Sequence, residues 1–499
     1  MMTSTITEQT ERPSPYRIAF WLFVALNCLF LLTSTGRART MDEVMTYFTT
    51  QSLALHGTTA VPQAPRAGLF YGKFDVHGEA RAAYPPGQAL LATPWFLAGE
   101  YGLMKLPGVP AEAHDPVMAF AVDCSSATFT AACGALLFMI FLSFGLDEST
   151  SIKATLAVIF GTQLFAYSGW FYSEALTTLL LLASAFTLFS KGEDGPITYQ
   201  RLLIAGSFLG AAVWVRPTQV VMAGIVLFVL FLRESRSSWK EAAKKSAVLG
   251  YIIGMFVLVY LVNNKRLFGS PFDFGYPPTA EFGRQLNGFS TPFMTGFSGF
   301  LFSPGKSIFL FAPIIIPALF LLPKLWRTHR SWALLAVGLP LATLLLYSKY
   351  AQWEGGYGYG PRYFVPSLVF LAIAIIPAFK DPTPKMPYWI LAASLIGLAV
   401  NLIGLSTSYL EDQAIRGVYY DANWNYIWMH SPITAQAVLF WKHMVSGVSA
   451  PIGLGFDRWF VFLHKAGVSG SAILGIAIIP LIGLFLSLWK LSKALRAPA

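Results

Sequence analysis

The run Arg233-Glu-Ser-Arg236-Ser-Ser-Trp-Lys240-Glu-Ala-Ala-Lys244-Lys245 leads directly into Ser246-Ala-Val-Leu-Gly-Tyr-Ile-Ile-Gly-Met-Phe-Val-Leu-Val-Tyr-Leu-Val-Asn263. The second part carries no charge. Wound as a helix, it is about long enough to cross the ~30 Å hydrocarbon core of a bilayer, where a helix satisfies its own backbone groups. The first part is short and basic, as a cytosolic connection should be. Together they predict a membrane helix and its direction.

The pattern repeats along the chain. Apolar segments fall at 17–35, 116–143, 153–170, 174–190, 201–215, 217–232, 246–263, 299–322, 332–347, 363–379, 387–408 and 471–489. The expectation is an all-α polytopic membrane protein with roughly twelve spans and a cytosolic N-terminal tail, 1–16. The short segments 144–152, 191–200, 233–245, 323–331, 380–386 and 490–499 then lie inside. Lys324, Arg327, Arg330, Lys380, Lys385, Lys490, Lys493 and Arg496 mark them. The opposite face receives the long segments 36–115, 264–298, 348–362 and 409–470. The expected divisions are a core at 17–408, an outer cap at 409–470, and a last span with its tail at 471–499. The first apolar run, from Ile18 to Thr33, has no clean small-residue cleavage site after it and reads as an uncleaved signal anchor.

Composition agrees. Of 499 residues, 55% are apolar and 12% charged, with mean hydropathy +0.56; soluble domains carry about 25% charge. The net charge of +10 does not imply nucleic acid, because the basic residues sit in short loops between apolar runs. Cys28, Cys124 and Cys133 all lie in apolar segments, so neither a disulfide framework nor a metal site is expected. No metal-ligand spacing, P-loop or dinucleotide fingerprint stands out.

Segment 36–115 holds the first candidate chemistry. Thr40-Met-Asp42-Glu43 precedes Val44, Tyr47, Phe48 and Leu55, which share a helical face. Thr40 and Glu43 fit a capping box, with Asp42 in the first turn. Both acids therefore have a structural explanation at a helix N-terminus. An acid just beyond the first span would also lie at the outer membrane surface, where it could take a proton from an attacking hydroxyl. His56-Gly57 and Gly72-Lys73-Phe74 follow, and then Ala83-Tyr84-Pro85-Pro86-Gly87 turns the chain into an apolar segment, 88–104, expected to lie along the membrane. Lys73 is either a snorkelling lysine or a point charge for a lipid phosphate.

Asp123, Glu174, Arg216 and Lys306 fall within or beside expected spans, each toward the outer end. Charges at membrane depth are costly and mark a site by default; structural pairing, such as Asp123 with Arg216, is the alternative. Segment 348–363 adds Lys349, Trp353, Glu354 and Arg362 among glycines. Glycine permits close backbone approach and Arg offers a planar fork for phosphate. Asp273, Glu281 and Arg284 in 264–298, and Trp424, Trp428, Trp441 and Trp459 in 409–470, are candidates for shaping an acceptor site or a membrane-lying cap.

The pattern Asp42-Glu43…Tyr47…His56-Gly57…Lys73…Tyr84-Pro85-Pro86-Gly87 resembles the first outer loop of GT-C glycosyltransferases, in the branch of the protein O-mannosyltransferases and the lipid A aminoarabinose transferase. Gly161-Thr162…Tyr167-Ser168…Tyr172-Ser173-Glu174, Trp214-Val-Arg216-Pro217-Thr218 and Trp353-Glu354-Gly355-Gly356…Gly360-Pro361-Arg362-Tyr363 resemble later elements of that family, so the likeness covers about 17–380. It implies a GT-C fold with surface-lying helices in the first outer loop. It implies an inverting transfer of a sugar from a polyprenyl-phosphate donor to a glycan, glycolipid or protein acceptor on the extracytoplasmic face of an inner membrane. Asp42 would be the base, with Glu174 a second acid and Glu43 the neighbouring alternative. Lys73 and Arg362, with Arg216 and Lys349, would hold the donor phosphate. Tyr84, His56, Asp123, Lys306, Trp353, Glu354 and Tyr363 would line the substrate pocket. No cofactor or divalent metal is implied. A glycolipid transporter using the same charged cavity, and a non-catalytic scaffold, are the competing readings.

Overall fold

The computed structural model describes residues 14–276, 288–380, 386–416, 422–446 and 456–496. It is almost entirely helical; the described residues hold one two-stranded hairpin besides. Seven helices among them are long and apolar enough to cross a bilayer: Pro15–Thr33, Ala111–Ser143, Trp239–Phe268, Arg330–Ser348, Arg362–Lys380, Pro387–Ser406 and Gly470–Arg496. The chain is a multi-pass membrane protein.

All twelve expected stretches fall on helical chain, but five are not spans of that length. Glu148–Gly161, Glu174–Phe189, Tyr199–Val215 and Gln219–Glu234 are shorter. The stretch 299–322 is broken into Phe293–Phe302, Ile308–Phe311 and Ile315–Thr328. Ser303-Pro304-Gly305 and Pro313 explain the breaks, since proline removes a donor and clashes with the preceding turn. Glu281 and Arg284 lie outside the described residues.

Numbered in order, α1 (Pro15–Thr33) packs against α5 (His114–Ser143) and the last helix, Gly470–Arg496. The helix α2 (Met41–His56) lies on α4 (Gly87–Tyr101), and α4 on α5; these are the two long helices of the segment after the first span, with the short α3 (Gln63–Arg66) between them. Gly87 seats α4 against the end of α8 (Tyr199–Val215): a Cβ there would lie 2.5 Å from the Trp214 carbonyl oxygen. Between α2 and α4 runs the hairpin β1 (Gly72–Phe74) and β2 (Ala80–Ala82), antiparallel with Lys73 opposite Arg81. The sequence reading did not include this hairpin. Asp75 accepts from the backbone of His77 and Glu79 in its turn, a local device that a short Asp supplies. Val76 N donates to Leu267 O (2.8 Å), docking the hairpin tip on the end of α10 (Trp239–Phe268).

The segment Arg362–Lys380 is the most enclosed of the seven spans, 89% buried. Its burial carries Arg362 and Tyr363 into the interior, beside the group of charges described next.

Candidate active site

Asp42 occupies the second position of α2. The helix start is fixed by the reciprocal capping box of Thr40 and Glu43, with Thr40 N donating to Glu43 Oε2 at 3.0 Å. This satisfies donors that a helix N-terminus leaves orphaned. It also turns the two neighbouring acids apart. Glu43 is fully buried and accepts from Arg39 N (2.9 Å) and from the guanidinium of Arg39 (3.5 Å). The Asp42 side chain keeps 28% of its surface open.

Asp42 Oδ2 accepts from Arg362 Nη1 at 2.7 Å, and Oδ1 from the Tyr84 hydroxyl at 2.6 Å. Burial pushes this carboxyl up, but the Arg362 cation and the Tyr84 bond outweigh it and hold the group below the usual carboxylate range. Asp42 is thus ionised at neutral pH.

Arg362 lies over the rings of Tyr172 and Tyr363, 5.2 Å from each centroid. Tyr363 stacks flat on Tyr347 (4.0 Å, 9°) and carries Arg216 on its ring at 5.6 Å. Arg216 sits where Pro217 ends α8, and its Nη2 donates to Glu174 Oε1 at 2.6 Å, at the start of the helix Glu174–Phe189. Asp42, Arg362, Arg216 and Glu174 therefore form one chain of charges bridged by aromatic faces. Glu174 Oε2, Arg216 Nη1 and Arg362 Nε are buried atoms without a hydrogen-bond partner among the described residues. Such groups are costly unless something completes them.

Lys73 approaches from the hairpin side. Tyr71 stacks on Tyr84 (5.6 Å, 19°), and two residues on Lys73 pairs with Asp273 at 2.5 Å. Trp353 is buried against Phe300 in an edge-on contact. Lys306 is also buried and donates to backbone carbonyls of the Gly356–Gly358 turn.

Two expected site residues, His56 and Asp123, lie elsewhere, and Lys349 is at the surface. His56 is exposed at the far end of α2, roughly 20 Å from Asp42 at 1.5 Å per residue. Lys349 is exposed at the end of Arg330–Ser348. Asp123 does not pair with Arg216; its Oδ2 accepts from Gly36 N at 2.8 Å, so it ties α5 to the chain leaving α1. Gly36 has φ 71°, and a Cβ there would lie 2.4 Å from Trp459 Cβ, which explains glycine at this crossing.

One cluster was missed by sequence reasoning. Asp457, far along the chain, accepts from Arg37 Nε (2.6 Å) and Arg39 Nη1 (2.9 Å) and is fully buried. Arg39 also lies on the Trp170 ring at 4.6 Å. Two arginines beside the candidate acid were the only signal; nothing local pointed to Asp457. Among the described residues no group of three His, Cys, Asp or Glu side chains is placed to hold a metal ion.

No protein-family profile matches the chain, and no curated protein matches it by sequence. Among solved structures it is similar to ArnT from Cupriavidus metallidurans bound to undecaprenyl phosphate, with 13% identity over 97% of this chain and 77% of that one, at a TM-score of 0.49. It is also similar to the archaeal oligosaccharyltransferase AglB from Archaeoglobus fulgidus in complex with an inhibitory peptide and a dolichol-phosphate, with 12% identity over 82% of this chain and 57% of that one, at a TM-score of 0.48.

Proposed function

We propose that this protein is a GT-C-type inverting glycosyltransferase that moves a monosaccharide from a polyprenyl-phosphate donor to an extracytoplasmic acceptor, with Asp42 as general base. The observation that carries the reading is the partly open Asp42 carboxylate paired with Arg362, with Arg216 joined to Arg362 through the Tyr363 ring. A base must be ionised and within reach of its substrate, and a departing lipid phosphate must be met by positive charge. Asp42 supplies the first; Arg362 and Arg216 supply the second, and Lys73 would join them by exchanging Asp273 for the phosphate.

The acceptor hydroxyl would approach the open side of Asp42 and attack the anomeric carbon as its proton passes to the carboxylate. The bond to the phosphate oxygen breaks on the opposite face of the sugar, and the electron pair leaves with the lipid phosphate. Charge-assisted bonds from arginine strengthen as that charge grows. The same shift strengthens the base. Arg362 shared with a phosphate holds Asp42 less strongly, and the proton affinity of the carboxylate rises when it is needed. Glu174 keeps Arg216 in place. A glycan, glycolipid or protein can serve as acceptor in this scheme.

The test is to incubate purified full-length protein, supplied with cell-envelope acceptors, with a panel of polyprenyl-phosphate sugars and to follow donor consumption beside an Asp42→Asn control. Consumption of one donor that the control abolishes supports the reading. Movement of a glycolipid across vesicles with no donor consumed would replace it with transport.

A further inference from the structure

Lys306 lies in the turn Ser303–Ser307 that breaks an otherwise apolar stretch, and it is fully buried. Its Nζ donates to the carbonyl of Gly358 at 2.8 Å and meets that of Gly356 at 3.5 Å. Those carbonyls belong to the turn that wraps the side chain of Arg362. A Cβ at Gly358 would lie 2.5 Å from Arg362 Cδ, and one at Gly355 2.9 Å from Cγ. Gly355 and Gly356 have φ of 75° and 57°, which turns the backbone inward.

A buried ammonium is expensive, and an apolar side chain of the same length would fill its space at lower cost. What an apolar chain cannot do is satisfy two inward carbonyls. Glu354, itself buried, immediately precedes this glycine turn. The turn bearing Lys306 is gripped from its other side by the C-terminal segment: Gly305 N donates to Asn425 O (2.9 Å) and Ser431 Oγ to Pro304 O (2.8 Å).

We infer that Lys306 is a positioning residue that holds the glycine turn closed around Arg362 and so fixes the guanidinium that receives the lipid-linked phosphate. The inference rests on reading Arg362 as a phosphate ligand. It takes Lys306 out of the substrate pocket, and it gives the segment beyond residue 409 a path to the site.

Undecaprenyl phosphate binding to the full-length protein, read by thermal-shift titration, tests both levels. Arg362→Ala should weaken binding. Lys306→Met should weaken it about tenfold, the scale of one charge-assisted hydrogen bond. In the double variant Lys306→Met should add nothing, because its route runs through Arg362. Lys306→Gln, which keeps a donor, should recover part of the loss and stands in where the Met variant fails to fold. Wild-type affinity in both Lys306 variants, with Arg362→Ala weakened, overturns the positioning role and leaves the phosphate reading standing. A further loss in the double variant also overturns it. Wild-type affinity in Arg362→Ala overturns the phosphate reading itself.

Discussion

Asp42 and Glu43 are neighbours on the first turn of one helix, yet they face different regions of the molecule. Asp42 keeps an open side and meets one arginine and one tyrosine hydroxyl, with unsatisfied atoms on Arg362, Arg216 and Glu174 beyond. Behind Glu43 is a sealed network in which Arg39, Arg37 and Asp457 consume one another's charge. The cavity beside that network, lined by Arg39, Thr40, Trp170 and Tyr172, measures about 20 Å³, room for roughly one water. A helix turn thus divides two identical functional groups into a reactive one and a structural one by which way each points.

The strongest way to break this comparison is to neutralise the two acids separately. Asp42→Asn keeps the shape, its oxygen accepting from Arg362 and its amide donating to the Tyr84 hydroxyl, but it cannot take a proton; transfer should fall by about 10²–10⁴-fold. Monodispersity in detergent should stay near wild type. Glu43→Gln should do the reverse. The capping bonds survive in Gln, but its amide nitrogen meets the Arg39 guanidinium, so stability should fall by about 1–3 kcal/mol while the folded fraction turns over normally. Full activity in Asp42→Asn with loss in Glu43→Gln would exchange their roles. These expectations differ from those of an exposed helix cap, where Glu43→Gln would be nearly silent.

Asp457→Asn probes the sealed side from its distant end. Removing one partner of a buried ion pair typically costs about 3–5 kcal/mol, and the inactivation half-life in detergent should shorten accordingly. Burial raises the Asp457 carboxyl, but Arg37 and Arg39 outweigh burial and hold it below its ordinary value. Its stabilisation is therefore present above the unfolded-state value and lost as pH falls through the lower, folded-state value. The wild type should be more acid-sensitive than the variant relative to each one's stability at neutral pH.

The smallest effect, and the one that sharpens the open side, is a shift in a pH profile. With Asp42 held low by Arg362 in the free protein, the acid limb of kcat/KM for the donor in wild type should lie below the ordinary carboxylate range. Arg362→Gln removes the cation that favours the ionised form, so the limb should move to higher pH. An unmoved limb would show that some group other than Asp42 sets it.

Much of this was legible in the chain. The uncharged run at 246–263 between basic flanks dictates a membrane helix, because a backbone in hydrocarbon must bond to itself. Thr40 and Glu43 three residues apart dictate a helix start, because cap geometry is local. Pro85-Pro86-Gly87 forces the turn into α4. Ser303-Pro304-Gly305 was equally local and should have marked the break inside 299–322. Helices such as Glu148–Gly161 and Gln219–Glu234 were not separable from longer spans by hydropathy, since apolar composition does not record where a helix starts and stops.

Tertiary structure alone decided which charges meet. The partners Asp42 and Arg362, Glu174 and Arg216, Arg37 and Asp457, and Lys73 and Asp273 lie far apart in the chain. Any of the buried acids could have answered any of the buried bases as far as composition goes. Asp123 with Arg216 was a reasonable pairing by sequence, and the packing of α5 against the chain leaving α1 gave Asp123 to Gly36 instead. Periodicity and caps act over a few residues, so the sequence carries them openly. A buried ion pair depends on where two helices cross, and that is set by the fit of whole faces, which no local pattern records.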